Sequence, residues 1–270
     1  MPNEMPETSV LNVEAAAEGV RELVLNRPEV HNALNVPLLD ALAGALREAE
    51  ADGACRVLLL RGEGKSFCAG LDLKVAADPA QAQASTELLS DLLTGLRASR
   101  LIVVTAVHGA AYGGGAGLLM ASDLTVADET LKVGFPEVRR GIIPAMVSVL
   151  LRQNLGDRLT RDILLLGQTL TADRVAATGL LGVAAAPVRI GAAREEAMKR
   201  VDELLLGGPE TLAATKRLVN EIGGEPFDAA WQAAHAAHLA SRVSEEFAEG
   251  SRAFKEKRPP AWAPAPIAGR

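Results

Sequence analysis

The sequence predicts an α/β domain with a helical C-terminal part, and three observations carry that reading. Short apolar runs, RVLLLRG (56–62) and LIVVTAV (101–107), have the length and composition of buried strands. Longer stretches with helical spacing separate them. From about residue 145 the strand-like runs give way to mostly helical patterning. Alternating strands and helices followed by helices alone define this class.

Each element has its own signal. SVLNVEAAAEGVRELVLNRP (9–28) reads as two short strands with a turn near Gly19. VPLLDALAGALREAEAD (36–52) places Leu38, Leu39, Leu42, Leu46 and Ala49 on one helical face, with charges opposite. Residues 81–99 read as a second helix, and DLTVAD (123–128) and LKVG (131–134) as two more short strands. LGVAAAPVRI (181–190) reads as a further strand, and residues 191–258 as three or four helices. The expected organisation is a core over 9–190, a helical region over 191–258 beginning near a break at 190–208, and flexible tails at 1–8 and 259–270. No repeat of fixed period and no low-complexity linker interrupts it.

The bulk properties exclude several classes. A net charge of −6 argues against a nucleic-acid partner, and aromatic residues at 3% leave no base-stacking platform. Two cysteines, Cys55 and Cys68, cannot frame a disulfide scaffold in 270 residues. No apolar run approaches the ~20 residues of a membrane span. The acidic start MPNEMPETSV has no secretory core, so the cytoplasm is the expected compartment.

Several motifs fail on spacing. RGEGKS (61–66) lacks the first glycine of a P-loop, because position 59 is Leu. GGGAG (113–117) does not fit the dinucleotide fingerprint. Cys68 has no base nearby in sequence, and a small buried residue is its plain reading. His235 and His238 stand at i, i+3 without an obvious third metal ligand. Two glycine-containing segments remain, SFCAGLDL (66–73) and HGAAYGGGAG (108–117), each directly after a predicted buried strand. Bare backbone there suits amides aimed at a ligand oxygen, and two such amides make an oxyanion hole. Tight turns with close packing explain the same glycines equally well.

Five landmarks follow one another along the chain: LNRPEVHNALN (25–35), FCAGLDL (67–73), GGGAG (113–117), FPEVRRGIIP (135–144) and AFKEKRPP (253–260). In order and spacing they resemble the crotonase superfamily, which includes enoyl-CoA hydratases and isomerases, over nearly the whole chain. The resemblance implies a spiral of ββα units forming two sheets, C-terminal helices used for oligomerisation and CoA contact, and trimers or dimers of trimers. It implies an acyl-CoA thioester as substrate, with CoA part of that substrate and no separate cofactor, metal or membrane partner. The oxyanion hole falls to the amides of Leu71 and Gly114. CoA contact falls to His31, Ala33, Ala69, Asp72, Leu73, Phe254 and Lys257, where Lys257 supplies a cation for a phosphate. Glu137, in the PE dipeptide, is the implied catalytic acid/base.

Position 117 departs from the pattern. Two-acid hydratases of the family carry Glu there, and this chain has Gly117. Hydration divides acid and base work between two carboxylates. One carboxylate can instead move a proton from C2 to C4, which is Δ3,Δ2-enoyl-CoA isomerase chemistry. PAMVS (144–148) in place of the commoner glycine-rich turn, together with GGGAG, resembles bacterial methylglutaconyl-CoA-type hydratases that also lack the first Glu. The expectation is therefore hydration or dehydration of an enoyl-CoA, with isomerisation and CoA binding without turnover as alternatives. Arg139 and Arg140 are candidates for a second substrate carboxylate or a plain solvated pair. Asp123 reads as structural, and Glu87 and Asp91 as a solvated helix face.

Overall fold

The structure, a computed structural model, describes residues 9–72, 78–180 and 187–264. Leu73, the tail residues 1–8 and 265–270, and residues 181–186 of the expected strand lie outside the described residues.

Strands β1 (Leu11–Ala17) and β2 (Val20–Leu25) form an antiparallel hairpin around Gly19. Helix α1 (Val36–Ala51) then leads to β3 (Val57–Gly62), and α2 (Pro79–Ala98) to β4 (Ile102–Val107). After β5 (Ala110–Tyr112) and α3 (Gly114–Ala121) the chain enters β6 (Leu124–Ala127) and β7 (Lys132–Gly134). One sheet has the order β1-β2-β3-β4-β6, parallel from β2 onward. A second runs β5-β7-β8, where β8 is Thr169–Thr171. The main crossovers are helical, so β3 and β4 inside the large sheet are buried on both faces, and this is why they read as near-continuous apolar runs.

Alternation sorts those runs into two cores. Leu58, Leu60, Val103 and Val107 pack with α1, α2 and α3, while Val57, Leu59, Ile102, Val104 and Ala106 face α6 (Ala193–Leu204). Ala193, Ala197, Met198 and Val201 supply the α6 side. The sequence reading grouped this helix with the C-terminal region, but α6 completes the packing of the main sheet. The remaining helices are α4 (Ala145–Leu166), broken at Gly156 by φ 71° and ψ 175°, α5 (Ala172–Thr178), α7 (Pro209–Ile222), α8 (Phe227–Arg242) and α9 (Glu245–Glu256).

The glycine-rich stretch after β4 forms β5 and the helix α3, although each of its glycines disfavours a helix by about 1 kcal/mol relative to Ala. Burial of Leu118, Leu119 and Met120 overrides that propensity. The tail is not free over its described part. Trp262 donates Nε1–H to the Leu206 carbonyl at 2.9 Å, and its own carbonyl accepts from Arg56 at 2.9 Å.

Candidate active site

The two glycine segments meet because the chain after β3 pairs with β5. Phe67 N donates to His108 O, Cys68 N to Ala110 O, and Tyr112 N back to Cys68 O, at 2.9–3.0 Å. The other side of the same strip pairs with the loop before α1: Leu34 N donates to Gly70 O at 2.8 Å and Asp72 N to Leu34 O at 2.9 Å. Gly70 has φ +88°, and a Cβ there would stand 2.5 Å from Tyr112 O and 3.3 Å from Gly114 N. Both the backbone angle and the close approach demand glycine. Leu71 and Gly114 are thus brought together from distant parts of the chain. Among the described residues, neither of their amides donates to a protein acceptor. For Gly114 this follows from its place at the first position of α3, where helical amides have no partner within the helix.

Glu137 arrives from a 3-10 turn, Pro136–Arg140, directly after β7. Its Oε1 lies 2.9 Å from the position that a Cβ on Gly113 would take, and Gly113 itself has φ +49°. The carboxylate therefore sits against the backbone residue that precedes the Gly114 amide. Its Oε2 is buried without a hydrogen-bond partner among the described residues. Burial pushes the Glu137 carboxyl above the ordinary glutamate value, partly countered by its own backbone amide and the Arg140 charge. A carboxyl poised in this way suits proton transfer.

Position 117 has an apolar outlook. A Cβ on Gly117 would stand 3.2 and 3.4 Å from the Leu93 Cδ atoms and 3.5 Å from Val147 Cγ1. Leu93 and Val147, the nearest described neighbours of that position, are both apolar.

The residues that the resemblance assigns to CoA contact fall into two groups. His31, Ala33, Ala69 and Asp72 lie together around the 66–72 strip: Ala69 N donates to His31 O at 3.0 Å, and the exposed His31 ring meets Ser66 Oγ at 3.1 Å. Arg27 links the group, donating to the Ala33 carbonyl and pairing with Asp72 at 3.4 Å. Phe254 and Lys257 are at the end of α9, and Phe254 is 85% exposed. No hydrogen bond or ion pair among the described residues joins α9 to the His31–Asp72 group. Its polar contacts run to the start of α7, where Glu246 accepts from the amides of Glu210 and Thr211, and to Arg258 and Ala261.

Sequence reasoning missed two framework residues. Asn32 is fully buried, takes the left-handed conformation at φ 55°, donates to the carbonyls of Glu63, Ser66 and Phe67, and accepts from Arg27 N. It welds the loop before α1 to the chain after β3. Lys216 of α7 is buried and donates to Leu96 O, Leu101 O and Asp123 Oδ2, each at 2.8 Å. Asp123 is thereby an ion-pair partner rather than a proton carrier. Burial pushes the Asp123 carboxyl up against the pull of the Lys216 charge, and pushes the Lys216 ammonium down.

The other candidates also find places. Cys68 is buried and burial lifts its thiol to about 12, which leaves it inert as a nucleophile. Asp91 is exposed, and Glu87 accepts from Gln83 on the surface of α2. Arg139 donates to the Leu166 carbonyl at 2.9 Å. His235 and His238 are exposed on α8, and the described residues contain no cluster of three metal-type ligands.

Two sheets wound as strand–helix units and followed by helices define a protein of crotonase-type fold. The enoyl-CoA hydratase/isomerase family model matches residues 15–265, and the chain belongs to that family. A Thermus thermophilus protein provisionally named an enoyl-CoA hydratase is 35% identical over 89% of this chain and 96% of its own length. Enoyl-CoA hydratase EchA19 of Mycobacterium tuberculosis is 30% identical over 88% and 91%. Among solved structures, enoyl-CoA hydratase from Bacillus anthracis superposes with TM-score 0.89 at 26% identity, covering 94% of this chain and 99% of that one. No helix among the described residues is long and apolar enough to cross a membrane.

Proposed function

We propose that this protein works on an enoyl-CoA with a single carboxylate. The amides of Leu71 and Gly114 hold the thioester oxygen, and Glu137 moves the proton at Cα. The observation that carries this reading is the placement of Glu137 Oε1 against Gly113, the residue before an amide with no protein acceptor. As the α-proton leaves, or as a nucleophile adds at Cβ, charge moves onto the thioester oxygen. Two fixed N–H dipoles stabilise that enolate, and losing one such donor costs about 3–4 kcal/mol in comparable sites. A carboxyl raised by burial is a stronger base when ionised.

Hydration or dehydration of the enoyl-CoA is the reading that the names of the relatives support. The apolar wall at Gly117 favours a second one, isomerisation, in which Glu137 takes the proton from C2 and returns it to C4 without a water. In the CoA-binding role, His31, Ala33, Ala69 and Asp72 form the near side of the groove, and Phe254 and Lys257 reach it from another subunit. This division is part of the proposal, since α9 stands apart from that group within one chain.

A panel of 2-enoyl- and 3-enoyl-CoAs, assayed for hydration and for double-bond migration, separates the two reactions. Deuterium exchange at Cα of butyryl-CoA tests the common step: exchange in wild type is expected, and its absence assigns the protein to binding without turnover.

A further inference from the structure

Between α2 and α4 runs an apolar groove of about 240 Å³. Positions 90, 93, 94 and 97 of α2 line one wall and 146, 149, 150 and 153 of α4 the other. Each set has the i, i+3, i+4, i+7 spacing of a single helical stripe, so the groove follows the contact between the two helices. The apolar lining is Leu93 on α2 with Met146, Val149 and Leu150 on α4, and Ser90, Thr94, Arg97 and Gln153 are its polar members.

Leu93 belongs to two surroundings. It lines this groove, and its Cδ atoms stand 3.2 and 3.4 Å from the Cβ position of Gly117 on α3. It is 4% exposed. Leu89, one turn earlier on α2, meets Gly114 in the same manner, with Cδ2 2.8 Å from the Cβ position there. The leucines of α2 thus follow the glycine side of α3, from the open amide of Gly114 to the inner wall of the groove.

We infer that Leu93 is the partition that ends the acyl side of the thioester site and confines it to short acyl groups. The inference rests on the reading that Gly114 holds the thioester oxygen. With the oxygen there and Cα against Glu137, acyl carbons beyond Cβ extend along α3 toward Gly117, where the Leu93 side chain fills the space. Behind that side chain is unfilled apolar volume. Truncating Leu93 joins the two and opens room for several more methylenes. If Leu93 were only core filling, truncation would lower stability and leave the preference among acyl groups unchanged.

Binding of saturated acyl-CoAs tests this without any need for turnover. A methylene moved from water into an apolar groove improves affinity about 4-fold, so four of them improve it about 200-fold. Calorimetric titration of wild type with CoA, butyryl-CoA and octanoyl-CoA is expected to place the two acyl-CoAs within about 5-fold of each other. In Leu93→Ala, octanoyl-CoA is expected to gain at least 10-fold relative to butyryl-CoA. A wild type that already binds octanoyl-CoA about 200-fold more tightly overturns the partition, and so does a folded Leu93→Ala with an unchanged ratio. If Leu93→Ala does not fold, the wild-type series alone decides. Failure of CoA and both acyl-CoAs to bind wild type refutes the thioester site itself, a result distinct from a failed partition.

Discussion

Replacing Glu137 by Gln separates the role of a proton carrier from that of a packed polar side chain. Gln keeps the shape of Glu and one hydrogen-bonding oxygen but exchanges no proton at a useful pKa. Proton transfer is made only in the transition state, so the loss falls on kcat and leaves affinity for butyryl-CoA nearly intact. A single general acid–base step is worth roughly 10²–10⁴-fold, and a fall of that size is expected. The burial of Oε2 without a partner adds a second, opposite signature. Because the folded carboxyl titrates above its unfolded value, its contribution to stability is fully present below the unfolded pKa and is lost as pH rises through the folded one. The neutral amide of Glu137→Gln carries no such penalty, so the variant is expected to melt higher relative to wild type at pH 8 than at pH 4. The wild-type rate should rise with pH through a pKa above the ordinary glutamate range, and the residual rate of the variant should lack that limb. Steady-state kinetics and calorimetric melting across pH read both effects. A variant with near-normal kcat on the best substrate of the panel refutes the assignment of Glu137.

Lys216→Met takes the cation from the partly exposed Asp123 and frees the Leu96 and Leu101 carbonyls, and polar groups left unpaired in this way cost about 1–3 kcal/mol. A melting temperature roughly 2–12 °C lower is expected in a chain of this size, and an unchanged melt would show that the clamp contributes nothing. Gly117→Glu puts a carboxylate against Leu93 and Val147, so lower stability and no gain in crotonyl-CoA hydration are expected, with a rise in hydration as the contrary result. The exposed Phe227, Trp231, Val243 and Phe254 in and around α8 and α9 lead us to expect a homotrimer or a dimer of trimers, which a stable monomer in sedimentation at micromolar concentration would contradict.

The alternation of apolar strands and amphipathic helices was legible because buried parallel strands leave unbroken apolar runs, as β3 and β4 do. The glycine segments were legible as places of bare backbone, but their partners were not. That Gly70 lies against Tyr112 and Gly114 depends on a bridge between Cys68 and Ala111, a pairing across more than forty residues that no local pattern encodes. Asn32 looked like an ordinary turn residue, and only the fold shows its amide holding three carbonyls. Lys216 sits in a charged helical stretch where solvent is the natural guess. Its burial comes from the way α7 crosses the α2–β4 junction, and the only local hint was an aspartate opening a strand.

The glycine at 117 is more than a deleted acid. Gly114 and Gly117 face Leu89 and Leu93, one helical turn apart on α2, so the distance between α2 and α3 is set by the absence of side chains at both positions. Lys216 fixes the far end of α2 by holding the Leu96 carbonyl together with Leu101 and Asp123. A carboxylate restored at 117 must therefore displace a helix that is clamped a few residues further along, or lie in the apolar volume that Leu93 now occupies. In the proposed single-carboxylate reading, that character depends on the packing of α2 as much as on the residue at 117. A change of chemistry would require Leu93 and Gly117 to change together, and their effects on rate and stability should be strongly non-additive, as for any two groups in direct contact.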